Sequence, residues 1–385
     1  MLPYKTKIFT VFYFLPAWIA SLMSWGEVRT SEGFETAPAW FHAAKLGVQI
    51  GAILILFLPL KLRSRPPLSA IAVAFSLVLS TLLAEPVLEG DFQVLRSSVQ
   101  IGILSVFLLV SKPSATFTLN DLRFLFALFL TGFILQIALY FFLGRMPSHS
   151  MRDVFLRFNG ITNDSLSTGI LLVILVPWAV VSACQLMKVS ALIAMSALTG
   201  GLFGFIMVLT SALGYSLWRQ LYRFTATLMA ILMITFIILH EKLFLLLEIK
   251  VLSILTHMRF FLNLSNLNFE QPTVSCSEEF CESFLEIALH LSPVFGLLVY
   301  GLLFIFIVRL LRTKRGHNDI VCDSLVLFWI ALFVASFVHP LPLIPFAIPL
   351  FLIFSILAAS NLKRNTSFLV RCPNANQVDL PSTTA

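Results

Sequence analysis

The feature that most constrains this chain is a succession of apolar runs, each close to the length of about 20 residues that an α-helix needs to cross the hydrocarbon of a bilayer. Eleven such runs lie at roughly 8–25, 40–60, 68–88, 96–111, 122–143, 166–186, 189–209, 224–240, 285–311, 321–338 and 343–361. Of the 385 residues 58% are hydrophobic and 12% charged, and the mean hydropathy is +0.94. That leaves too little polar surface to wrap a water-soluble core of this size. The sequence therefore reads as an all-α, polytopic membrane protein with no room for a separate soluble domain.

Charge placement decides how often the chain crosses, because Lys and Arg are retained on the cytoplasmic side. Lys5 and Lys7 put the N-terminus inside, and Lys61, Arg63, Arg65, Lys112 and Arg123 follow. With eleven passes the cluster Arg309, Arg312, Lys314, Arg315 would fall outside. A further pass over 210–223, TSALGYSLWRQLYR, repairs this: it turns near Ser211 at the outer face and returns with Arg219 and Arg223 inside. The alternative is a re-entrant or amphipathic element there. About twelve spans leave about 17 of the 26 Lys and Arg inside, and about 15 of the 19 acids outside. The first run is read as an uncleaved span, since SWGEVRTSEG after it has no small-x-small cleavage site. Residues 1–364 then form one transmembrane domain, and 365–385 a disordered cytoplasmic tail.

Two outer connections are long, 144–165 and 240–284. The first, GRMPSHSMRDVFLRFNGITND, carries Arg145, Arg152 and Arg157 on the side where the chain otherwise places acids. Guanidinium groups bind phosphate and diphosphate bidentately and stay charged at any accessible pH. Two readings stand: capture of an anionic lipid head group, or pairing with Asp153, Asp164 and bilayer phosphates. Asn159–Gly160 and Asn163–Asp164–Ser165 supply a turn and caps leading into a helix.

The second connection sets His257 and Arg259 against Glu270, Glu278, Glu279 and Glu282. VLSILTHMRFFLNL suits a helix lying on the outer interface, with Arg259 either facing the other loop or snorkelling. The carboxylates Glu278, Glu279, Glu282 and Glu286 are favoured by a helix N-terminus whatever their role. One of them, facing an arginine pair at the membrane surface, is suited to take a proton from a sugar hydroxyl. Lys45, His42 and Arg96 fall near outer span ends, where snorkelling explains each and lining of a common cavity is the alternative. Cys276 and Cys281 are near enough in sequence for a small-loop disulfide, or are two thiols. The seven histidines show no metal-ligand spacing.

Three segments in order resemble the O-antigen polymerase and O-antigen ligase superfamily of bacterial inner-membrane proteins, over most of residues 120–310. RFNGITND at 157–164 resembles an Arg-Phe-x-Gly…Asn-Pro-Asn segment ending that family's first large periplasmic loop. VLTSALGY at 208–215 resembles its Leu-Thr-x-Ser-Arg-Gly segment. Arg259, with ESFLEIALHLSPVFGLLVYG from Glu282, resembles its second large loop. Departures are Asp164 for the second Asn, no Pro after Asn163, Ala212 for the Arg, and Glu282–Ser283 for His-Asn or Asp-Asn.

The resemblance implies transfer of sugar from undecaprenyl diphosphate at the periplasmic face to an acceptor hydroxyl, by a glycosyltransferase that needs no metal or other cofactor. It carries Arg157 and Arg259 over as diphosphate ligands and Glu282 as the group acting on the acceptor, in competition with Glu278 and Glu279. Arg145, Arg152, His257, Asn163 and Glu279 are the further substrate-binding candidates. The expected product is O-antigen, capsule or exopolysaccharide. The expected partners are the lipid-linked oligosaccharide, the bilayer and a chain-length-regulating membrane protein, with no nucleic acid. The lack of His at 282 favours a polymerase over a ligase, which would transfer polymer to lipid A-core. A transporter or flippase of a polar or anionic solute is the reading from a different class. It would want charges at mid-membrane and matched broken helices, whereas nearly all the charges outside the loops here sit at span ends.

Overall fold

The computed structural model describes residues 4–22, 38–58, 61–62, 103, 111–112, 114–143, 158, 160–162, 165–199, 202–234, 320–335 and 353–354. Among these the fold is all-α. The helices are α1 (Lys5–Leu22), α2 (Ala39–Phe57), α3 (Leu119–Leu143), α4 (Ser165–Val173), α5 (Val176–Val181), α6 (Gln185–Leu198), α7 (Leu202–Trp218), α8 (Tyr222–Ile234) and α9 (Ile320–Ala335). A two-residue antiparallel pair, β1 (Lys61–Leu62) with β2 (Ser111–Lys112), sets Lys61 opposite Lys112.

One helix among the described residues, Leu119–Phe142 within α3, is long and apolar enough to cross a membrane, with 24 residues and a mean hydropathy of 2.2. At 1.5 Å per residue it extends about 36 Å. Shorter apolar helices cover Ala43–Phe57, Gln185–Leu198, Phe203–Trp218, Tyr222–Ile234 and Ile320–Ala335. Four of the predicted runs, 8–25, 40–60, 122–143 and 321–338, coincide with α1, α2, α3 and α9 to within a few residues. The runs at 68–88 and 285–311 lie outside the described residues, as do all but a few positions of 96–111 and 343–361.

Helix ends follow local chemistry. At the start of α3 the Asp121 carboxylate reaches back to the residue before the helix: the Thr118 N–H and hydroxyl both donate to Asp121 Oδ2 at 2.7 Å, one half of a capping box. Pro177 has no N–H to continue the ladder, so α4 and α5 are separated at Ile174–Leu175, where tighter i→i+3 bonds take over. The C-terminus of α7 closes with Leu221 N–H donating to Ser216 O and Gln220 N–H to Leu217 O, both at 2.9 Å, and with Gln220 left-handed at φ 57°. This is a Schellman closure in which glutamine occupies the position usually held by glycine.

The expected turn near residue 210 is corrected here. Residues 202–218 form a single helix, because Thr210 bonds its hydroxyl to Ile206 O within the ladder and interrupts nothing. The break lies earlier, between Leu198 and Leu202, where the sequence has Gly200–Gly201. A hydropathy window slides across two glycines in an apolar stretch, which is why the boundary was misplaced. Residues 185–234 make three helices, α6, α7 and α8.

The core is aromatic. Phe9, Tyr13 and Phe14 of α1 meet Ala52, Ile53 and Leu56 of α2 and Phe129 and Phe133 of α3 in one buried cluster. Phe14 and Phe129 pack edge to face at 5.9 Å, and Phe117 stacks on Phe354 at 4.4 Å. Helix α9 is buried on every side from Val321 to Val326, the position of a central helix. Helices α4 and α7 meet at Gly169 and Gly204: a Cβ built on Gly204 would fall 2.8 Å from the Gly169 Cα. The Phe158 N–H bond to Leu198 O sets the end of α6, and with it the start of α7, beside the start of α4, and α7 packs along both α4 and α5, so α4 and α7 run parallel with α6 returning alongside.

Candidate functional site

Two polar ends result from this alternation. At the first, Lys5 Nζ donates to Leu58 O and to Ser114 Oγ (2.7 Å), and Thr6 Oγ1 donates to the buried Asp121 Oδ1 at 2.5 Å. These bonds gather the start of α1, the end of α2 and the start of α3. Asp121 thereby caps its own helix and fastens α1 to it. Lys7 lies 5.7 Å from the ring of Phe124.

The opposite end is reached about 22 Å along α3. There the Gly160 N–H donates to Gln136 Oε1 at 2.8 Å, and Phe158 N–H donates to Leu198 O at 2.8 Å. Phe158 is buried and packs edge to face on Tyr140 at 5.9 Å; Ile161 and Thr162 are fully buried, and the Thr162 and Thr168 hydroxyls share a hydrogen bond. Gly160 has φ 64°, and a Cβ there would fall 2.8 Å from the Phe133 ring. Both backbone conformation and close approach therefore require glycine. The segment 158–162 is an inward-packed anchor between α3 and the end of α6. Connection 144–157 consequently starts and finishes at this end of the bundle.

Of the residues expected to carry chemistry, Arg145, Arg152, Arg157, Asn163, His257, Arg259, Glu279 and Glu282 all lie outside the described residues, as do Glu278, Cys276 and Cys281. What is described is the local support of one of them, since Arg157 directly precedes the anchored Phe158. Among the described residues no group of three His, Cys, Asp or Glu is arranged to hold a metal ion.

Lys45 corrects the expectation of a snorkelling side chain. It is 1% exposed, in the bundle interior, one turn before Gln49, whose Nε2 donates to Tyr13 O at 3.3 Å. Position near a helix end did not keep it at the rim, because the inner face of α2 packs against α1.

Sequence reasoning also passed over a buried cluster at the first end. Arg219 Nη2 reaches Asp323 Oδ2 at 2.7 Å, and the Tyr215 hydroxyl donates to the same oxygen at 2.5 Å. Arg219 Nε donates to Tyr215 Oη at 3.0 Å, and the guanidinium lies 5.4 Å and 5.6 Å from the rings of Tyr215 and Trp218. The Asp323 side chain is fully buried. The signal was a carboxylate inside an apolar run, which ordinarily marks a functional or paired group. Comparison with protein-family models, with curated proteins and with solved structures finds no match to this chain.

Proposed function

We propose that this chain is a bacterial inner-membrane protein of about twelve spans, both termini cytoplasmic, that polymerises undecaprenyl-diphosphate-linked oligosaccharide repeats at the periplasmic face. The observation that carries the proposal is the alternation of helix ends. Lys5, Lys61, Lys112, Arg123 and Arg219 belong to one end, and the Arg157-bearing connection begins and finishes at the other. The positive-inside rule makes the first end cytoplasmic, so 144–157 faces the compartment where a flipped lipid-linked donor would stand. One helix long enough to span and the apolar character of its neighbours support membrane residence.

In this reading Arg157 and Arg259 hold the donor diphosphate, with Arg145, Arg152, His257 and Asn163 around it. The acceptor hydroxyl oxygen bonds to the anomeric carbon as the bond from that carbon to the diphosphate breaks. Glu282 takes the hydroxyl proton, with Glu279 beside it, while the arginines neutralise the charge that develops on the leaving diphosphate. The partners are the lipid-linked oligosaccharide, the bilayer and a protein that sets chain length.

The test is the surface polysaccharide of a strain lacking this chain. A ladder stopping at one repeat is expected, whereas loss of attachment with intact lipid-linked polymer would make the chain a ligase. In a complemented strain, Arg157→Lys and Arg259→Lys should each remove long chains while the protein still inserts, because lysine cannot reproduce the bidentate fork. Normal ladders from both variants would end the diphosphate role.

A further inference from the structure

We propose that Tyr215, Arg219 and Asp323 form an ionic latch that holds the first turn of α9 against the end of α7 and shuts that end of the bundle. The latch rests on the topology proposed above only in being assigned to the cytoplasmic side.

Three observations carry it. Arg219 and Asp323 are 104 residues apart, so their bond fixes one helix relative to another. The acid is completely dry, whereas the Arg219 side chain keeps 24% exposure. The pair therefore closes from the surface inward, and opening would swing the guanidinium to the rim and leave a buried carboxylate without its counter-charge. Finally, the end of α7 aims the cation. Arg219 is the residue immediately before the left-handed Gln220, its position is set by the two hydrogen bonds of the helix closure, and its guanidinium lies over two rings.

Both helix dipoles assist, since an acid in the first turn of α9 and a base at the end of α7 each sit at the favourable terminus. The hydroxyls of Ser216 and Thr225, 2.8 Å apart, tie α8 to the same corner. Because α9 is buried on every side from Val321 to Val326, freeing its first turn exposes the core.

Two native thiols report on this directly. Cys322 is buried beside Asp323, and Cys184 is exposed at the same end of the bundle. With Cys276, Cys281 and Cys372 replaced by serine, full-length protein in vesicles of both orientations is treated with a membrane-impermeant maleimide. Asp323→Asn, which keeps an oxygen for Tyr215 but loses the charge, should speed Cys322 labelling by at least about tenfold, with Cys184 unchanged. Arg219→Gln should do the same from the other side of the pair, and Arg219→Asp combined with Asp323→Arg should restore protection.

Unchanged Cys322 labelling in the two single variants would overturn the latch. So would equal acceleration of both thiols, which would reduce the pair to general stabilisation. The side from which Cys184 reacts is a separate readout. Labelling from the periplasmic side alone would overturn the topology while Cys322 continued to decide the latch.

Discussion

At the residue scale, identical glycines carry opposite meanings. Gly169 and Gly204 let two helix backbones touch, and the atoms a methyl would meet are backbone atoms that cannot move aside. Gly204→Ala should therefore force α4 and α7 apart and cost about 1–3 kcal/mol, read as reduced resistance to denaturant in detergent. Gly51, on α2, has nothing within 4 Å of its would-be Cβ. Gly51→Ala should stabilise by about 0.5–1 kcal/mol, since a helical glycine only adds backbone entropy to the unfolded chain. If the two substitutions moved stability alike, the close crossing would be wrong. Gln220 is the third case. A left-handed non-glycine residue is strained, so Gln220→Gly should raise stability by roughly 1 kcal/mol while leaving the ends of α7 and α8 in place.

At the scale of elements, proline and glycine punctuation decided where helices stop, and it was legible only in part. Pro177 marks the break between α4 and α5 inside the run read from the sequence as one span over 166–186, and Pro177→Ala should let 165–181 form one helix. Spin labels at exposed Val181 and Met187, measured against a site on α3, would register the straightening as a changed distance distribution. Pro16 lies inside α1 without ending it. The difference is tertiary: α1 is held on α2 and α3 by Phe9, Tyr13 and Phe14, whereas the α4–α5 junction relaxes into tighter turns. Local signals give candidate breaks, and packing selects among them.

At the scale of the whole molecule, the described helices alternate so that two sets of polar groups separate to opposite ends. Single cysteines at exposed Tyr4 and Phe142 should label from opposite sides of the membrane, Tyr4→Cys from the cytoplasmic side and Phe142→Cys from the periplasmic side. Labelling of both from one side would end the alternating arrangement and the proposed function with it.

The sequence by itself determined that the described residues are helical and where α1, α2, α3 and α9 run, because apolar runs of that length satisfy their backbone only by coiling. It also marked Asn159–Gly160 as a turn at the foot of an arginine-bearing connection. Only tertiary structure decided that this turn is packed between α3 and α6, that Lys45 faces inward, and that Asp323 meets Arg219 and Tyr215. The reason is physical: periodicity and composition act within about twenty residues, whereas a buried charge is explained by a partner a hundred residues away, which only the packed chain brings beside it.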